Sequence, residues 1–88
     1  MVAWTVGYTR RAEKDAKKLA AANLKRKAES LLASVILDPF VIPPPLEKLV
    51  GDLRGLYSRR INLQHRLVYE VRAQERTLVV HSMFTHYE

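Results

Sequence analysis

Between Gly55 and Val71, two runs of β-type residues flank a short polar interruption, which is the pattern of a β-hairpin. This hairpin constrains the fold more than any other stretch, because side chains alternate between faces and a one-residue slip would turn every apolar residue outward. In its second strand Leu67, Tyr69 and Val71 share one face, and Arg66, Val68, Glu70 and Arg72 take the other. In the first strand Tyr57, Ile61 and Leu63 share a face, with Arg59 as the odd member. Burying the two apolar sets together brings Ile61 near Leu67 and puts Arg60 and Arg66 on the same non-core face. Two adjacent guanidiniums repel, so they need carboxylate partners or a phosphate-rich ligand. With His65, the hairpin holds four cations or potential cations, and one of its faces is expected to be solvated or to meet an anion.

The flanking segments suggest what packs on this hairpin. Val2 to Tyr8 reads as a short β-strand. Thr9 is suited to cap a helix reaching about Ala22, on which Ala12, Ala16, Leu19 and Ala20 recur at helical spacing. Asn23 is read as the cap of a second helix, whose stripe is Leu24, Ala28, Leu31, Leu32 and Val35. Pro39 ends that helix, and Pro43, Pro44 and Pro45 hold the chain extended. Leu46 to Arg54 is read as a structured loop, and Arg72 to Arg76 as a polar turn. Thr77 to Phe84 is apolar on both faces, as an interior strand would be. The expected fold is α+β over a single domain, residues 1–88. It comprises a small, antiparallel-type sheet of four strands in the order β-α-α-β-β-β, packed on one side by a helical hairpin.

Composition narrows the function. A net charge of +6 and a pI near 10.0 draw so small a chain to a polyanion: nucleic acid, an acidic protein or an anionic membrane surface. The sequence has no cysteine, which removes disulfides, thiolate metal sites and thiol nucleophiles and fits a reducing, cytoplasmic setting. No signal peptide is read, and no apolar run is long enough for a membrane span. His65, His81 and His86 lack metal-ligand spacing, and the glycines form no phosphate-binding loop, so neither metal nor cofactor is expected.

Metal-free RNA cleavage needs three groups: a base for the ribose 2′-OH, a cation for the phosphorus oxygens and an acid for the departing 5′-oxygen. Glu47, Arg66 and His86 offer one of each, although spacing alone leaves all three readable as ordinary surface groups. The string Gly55-Leu56-Tyr57-Ser58-Arg59-Arg60-Ile61, followed by His65-Arg66-Leu67-Val68-Tyr69 and the terminal His86-Tyr87, closely resembles the YoeB (Txe) toxins of the RelE/ParE superfamily. The likeness runs nearly unbroken from Glu47 to Tyr87 and extends to the first half only in element order.

That resemblance implies a RelE-like fold and the toxin of a type II toxin–antitoxin system, a ribosome-dependent endoribonuclease that cleaves mRNA in the ribosomal A site. It implies Glu47 as general base, Arg66 as the cation that stabilises the phosphorane, His86 as general acid and Tyr87 beside it on the mRNA. Arg60, Arg59 and Lys48 would contact RNA phosphates. One departure is that Val50 stands where the family pattern has lysine, with Lys48 displaced from that position. The implied partners are an acidic, YefM-like antitoxin, the ribosome and its mRNA, with DNA met only through the antitoxin complex. A homodimer fits the family, although nothing in this sequence shows one.

Plainer readings compete. Arg59 and Arg60 could be sheet-edge charges that deter aggregation. Trp4, Tyr57 and Tyr69 are read as core, His81 as a packed structural histidine, and His65 as a turn residue that is structural or faces rRNA. The rival function is a non-catalytic basic module for RNA or protein. The gyrase-poisoning branch of the superfamily lacks the terminal His-Tyr pair present here.

Overall fold

The computed structural model describes residues 3–43, 45–49 and 55–84. Strand β1 (Thr5–Tyr8) leads into α1 (Arg10–Ala21) and α2 (Lys25–Leu37). Then come β2 (Glu47–Lys48), β3 (Leu56–Arg60), β4 (Arg66–Arg72) and β5 (Thr77–Ser82). The fold is the expected α+β class, with two departures in the sheet. Among the described residues the sheet has five strands, because Glu47–Lys48 pairs with β3 where a loop was expected. It is also mixed: the order is β1-β5-β4-β3-β2, with β1 parallel to β5 and the other pairs antiparallel. β5 is therefore interior, as its apolar character on both faces predicted.

Helix α1 starts as read, with Thr9 Oγ1 accepting from Ala12 N at 3.1 Å and donating to His81 O at 3.0 Å, which ties the helix to β5. Asn23 does not cap α2. It takes φ 61° just past the end of α1, where Asn23 N bonds Ala20 O at 3.2 Å and Leu24 N bonds Leu19 O at 2.8 Å. Asparagine tolerates this left-handed turn, so it closes the first helix. Leu24 stands at the start of α2 without a side-chain cap bond.

The core lies between the helices and one sheet face, with Ala12, Leu19 and Val35 packed on Ile61, Leu67, Tyr69, Leu78, Val80 and Met83. Tyr57 stacks on Tyr69 at 6.0 Å between ring centroids, and Trp4 packs at the core margin, as read. Leu63, expected on the core face, is 89% exposed. The first strand stops at Arg60, and Asn62 Oδ1 accepts from the amides of Gln64 (2.9 Å) and His65 (2.7 Å), folding 62–65 into a turn with Leu63 at its tip.

Asp15 is a charged residue within α1. It is buried and accepts from Met83 N at 3.0 Å. That bond receives the chain just beyond a bulge. Val80 pairs with Tyr69 and Ser82 with Val68, so His81 is the extra residue on β5. The extra residue reverses the alternation, which turns Met83 into the core.

Candidate functional site

Cross-strand pairing settles which charges meet. Arg60 lies directly opposite Arg66, and Arg59 opposite Leu67. Since Leu67 faces the helices, Arg60 and Arg66 share the outer face, as the hairpin register predicted. β2 adds the missing carboxylate: Glu47 pairs with Ser58, which is in phase with Arg60 on β3. Across this face Arg66 Nη1 reaches Glu47 Oε1 at 2.8 Å and Ser58 Oγ at 3.4 Å. The Arg66 side chain keeps 18% of its surface exposed and Glu47 keeps 50%, so the carboxylate is open to a ligand while the guanidinium lies low on the sheet above buried Ser58.

The remaining candidates divide. Arg60 lines a depression of about 540 Å³ with Lys27, Asn62, Leu63 and Gln64, and is available to an anion there. Lys48 pairs with Tyr57 and so projects from the opposite face to Glu47; it is not brought to the Glu47–Arg66 pair. Arg59 is fully buried, which rules out both an RNA contact and the sheet-edge reading. Its Nε donates to Tyr69 Oη at 2.9 Å, Nη2 donates to Pro39 O at 3.0 Å and Nη1 donates to Val41 O. Tyr69 in turn donates to Pro39 O at 2.7 Å, and burial pushes its phenol pKa up against the opposing pull of Arg59. Arg59 thus clamps the segment leading from α2 toward β2. His86, Tyr87 and Val50 lie outside the described residues.

His65 is buried and stacks on Phe84 with ring centroids 4.0 Å apart, which matches its structural reading and not an RNA-facing one. His81 is not the packed histidine expected. It is half-exposed on the outer face, with Nε2 3.1 Å from Glu70 Oε1, while Arg72 Nε holds Glu70 Oε2 at 3.0 Å. Neither Ser58 nor the Glu70–His81 pair was singled out from sequence. A matching parity of Glu70 and Arg66 was visible, but the bulge that aims His81 was not.

The Glu70 carboxyl is held below its ordinary range by the Arg72 hydrogen bond first and the His81 hydrogen bond second. A lowered carboxyl pKa stabilises the fold above the unfolded-state value, and that contribution is lost as pH falls through the folded value. Glu70→Gln should therefore cost stability at neutral pH, by less than about 1 kcal/mol for a pair this open to water. Urea titrations of the two proteins should converge as pH falls through and below the carboxylate range; a difference independent of pH would refute the assignment.

A small mixed sheet backed by a helical hairpin is the fold of the RelE/YoeB-like toxins. A family model described as the YoeB-like toxin of bacterial type II toxin–antitoxin systems matches residues 8–87. A YoeB toxin of Synechocystis is 37% identical over 65 residues, covering 74% of this chain and 73% of that protein. A YoeB/ParE toxin structure from Agrobacterium tumefaciens superposes with a TM-score of 0.85 at 29% identity, over 94% of this chain and 99% of that one. The YoeB–YefM complex from Staphylococcus aureus gives a TM-score of 0.81 at 31% identity, over 98% of this chain and 100% of the other. The chain belongs to the YoeB-like family and is the toxin of a type II toxin–antitoxin pair. Among the described residues, no helix is long and apolar enough to cross a membrane.

Proposed function

We propose that this toxin is a ribosome-dependent mRNA endoribonuclease acting by metal-free attack of a ribose 2′-OH on the adjacent phosphate. The observation that carries this reading is the 2.8 Å contact of Glu47 with Arg66 on the open sheet face. In this scheme Glu47 takes the 2′-OH proton. Arg66, already beside the carboxylate, faces the charge that grows on the phosphorus oxygens. His86 protonates the departing 5′-oxygen, Tyr87 holds the mRNA next to it, and Arg60 binds a neighbouring phosphate. The products are a 2′,3′-cyclic phosphate or 3′-phosphate end and a free 5′-OH. The ribosome's part is orientation: holding the mRNA for in-line attack supplies several powers of ten that one carboxylate and one histidine do not.

The partner proposed is an acidic, YefM-like antitoxin that covers this basic surface, as a toxin and an antitoxin are joined in the S. aureus YoeB–YefM complex. A YoeB dimer from the same organism makes self-association a second expectation. The test is a defined translation system programmed with one mRNA, comparing the wild type with Glu47→Ala, Arg66→Ala and His86→Ala. Cleavage with a 5′-OH product, lost in the variants, is expected. Cleavage that survives all three substitutions would overturn the site, and salt-sensitive RNA binding without cutting would favour a non-catalytic module.

A further inference from the structure

Glu47 and Arg66 meet although they stand on strands that are not neighbours, because β3 runs between β2 and β4. Glu47 lies opposite Ser58, and Ser58 lies opposite Val68, two residues along β4 from Arg66. Two strand spacings and two residue rises put the Glu47 and Arg66 backbones about 10 Å apart across the sheet and about 7 Å apart along it. The two side chains therefore reach toward each other over β3. Arg66 Nη1 ends 2.8 Å from Glu47 Oε1 and 3.4 Å from Ser58 Oγ, so the crossing lies over Ser58.

Two properties of Ser58 suit it to that place. The first is size. Ser58 is fully buried and its Oγ already touches the guanidinium, so atoms added beyond Oγ compete with Arg66 for the same space. The second is the hydroxyl, which is costly to bury without a hydrogen-bond partner. Among the described residues, the partner it has is Arg66. At 3.4 Å this bond is long, so the open space constrains Arg66 more than the bond does.

We infer that Ser58 is a positioning residue for RNA cleavage, holding Arg66 across β3 with its guanidinium at Glu47, an inference that rests on the nuclease reading. Ser58 touches no substrate in this scheme and acts only through Arg66. Misplacing a group that faces the reacting atoms by about 1 Å can cost about 10²-fold in rate. That cost falls on the chemical step and leaves substrate binding in place.

The experiment measures kcat and KM for mRNA cleavage on programmed ribosomes. It compares the wild type with Ser58→Ala and Ser58→Leu, and repeats both substitutions in an Arg66→Ala background. Ser58→Leu, which fills the space under the crossing, should lower kcat by about 10²-fold. Ser58→Ala, which removes only the long hydrogen bond, should lower it about three- to five-fold. KM should stay within about two-fold of the wild type in both. With Arg66 already gone, neither substitution should cost more than about a further two-fold, because the group being positioned is absent. A serine that merely supports the fold would lower activity by the same factor with or without Arg66.

An unchanged kcat for either variant, a rise in KM in its place, or a loss retained in full in the Arg66→Ala background overturns the inference. If Ser58→Leu does not fold, Ser58→Ala decides by the same comparisons. Wild-type protein that cuts no mRNA, or cutting that survives Arg66→Ala, sinks this inference and the site reading together. Cutting that needs Glu47 and Arg66 but is indifferent to Ser58 sinks this inference alone.

Discussion

Arg66→Ala is expected to lower ribosome-linked mRNA cleavage by about 10²- to 10³-fold, the usual cost of removing one preorganised donor from a developing anion. On the proposed mechanism the effect should fall on kcat, because the charge assigned to Arg66 would be fully developed only in the transition state. Stability should hardly change. The Glu47–Arg66 pair is half open to water on its acidic side, and exposed pairs contribute about 1 kcal/mol or less. Arg66→Lys should fall between the two, since lysine keeps the charge but loses the planar fork that reaches Glu47 and Ser58 together. Glu47→Gln keeps the shape and removes the proposed base, and by itself should cost about 10²- to 10⁴-fold. On the proposed mechanism the two groups act on one event, so Glu47→Gln combined with Arg66→Ala should lose much less than the product of the single losses. Full additivity in single-turnover rates would mean that the two do not serve the same step.

Arg59→Ala is expected to unfold a large part of the population. Arg59 is fully buried and bonds Tyr69 Oη, Pro39 O and Val41 O, so truncation opens a cavity and strips partners from buried oxygens. A loss of about 3–5 kcal/mol follows from removing one member of such a network. In a domain of 88 residues that is a fall in Tm of more than about 10 °C, against a total stability on the order of 5–15 kcal/mol. Arg59→Lys should cost about 1–3 kcal/mol, because one ammonium cannot serve three acceptors set around a guanidinium. Thermal and urea unfolding of the purified variants would check this. A change under 1 kcal/mol for Arg59→Ala would show that the clamp on 39–41 is dispensable.

The two neighbouring arginines show where reading a sequence succeeds and where it stops. Strand parity is local, so the sequence assigned Arg60 and Arg66 to one face and marked Arg59 as the exception on the core face. It did not show how a buried guanidinium is satisfied, because two of its acceptors lie on a segment 18 and 20 residues earlier and a third on the neighbouring strand. Charge pattern alone favoured a surface role, and the burial overturned it. Glu47 is a similar case. Its candidacy came from a resemblance carried by the string that follows it, but its place beside Arg66 depends on β2 pairing with β3. The same pairing sends Lys48 to the opposite face. His81 was misread for a different reason: a bulge is set by how β5 fits its neighbours, and it leaves no mark in the alternation of side chains.

The sequence by itself determined the types of the elements other than β2, the helix start at Thr9, the register of the β3–β4 hairpin and the shared face of its two outer arginines. These depend on periodicity, capping and turn chemistry within a few residues. The order of the strands, the parallel seam between β1 and β5, the burial of Arg59 and Asp15 and the meeting of Glu47 with Arg66 were decided only in three dimensions. Each of these depends on partners distant in the chain, whose hydrogen bonds and desolvation balance only once the whole sheet is assembled against its helices.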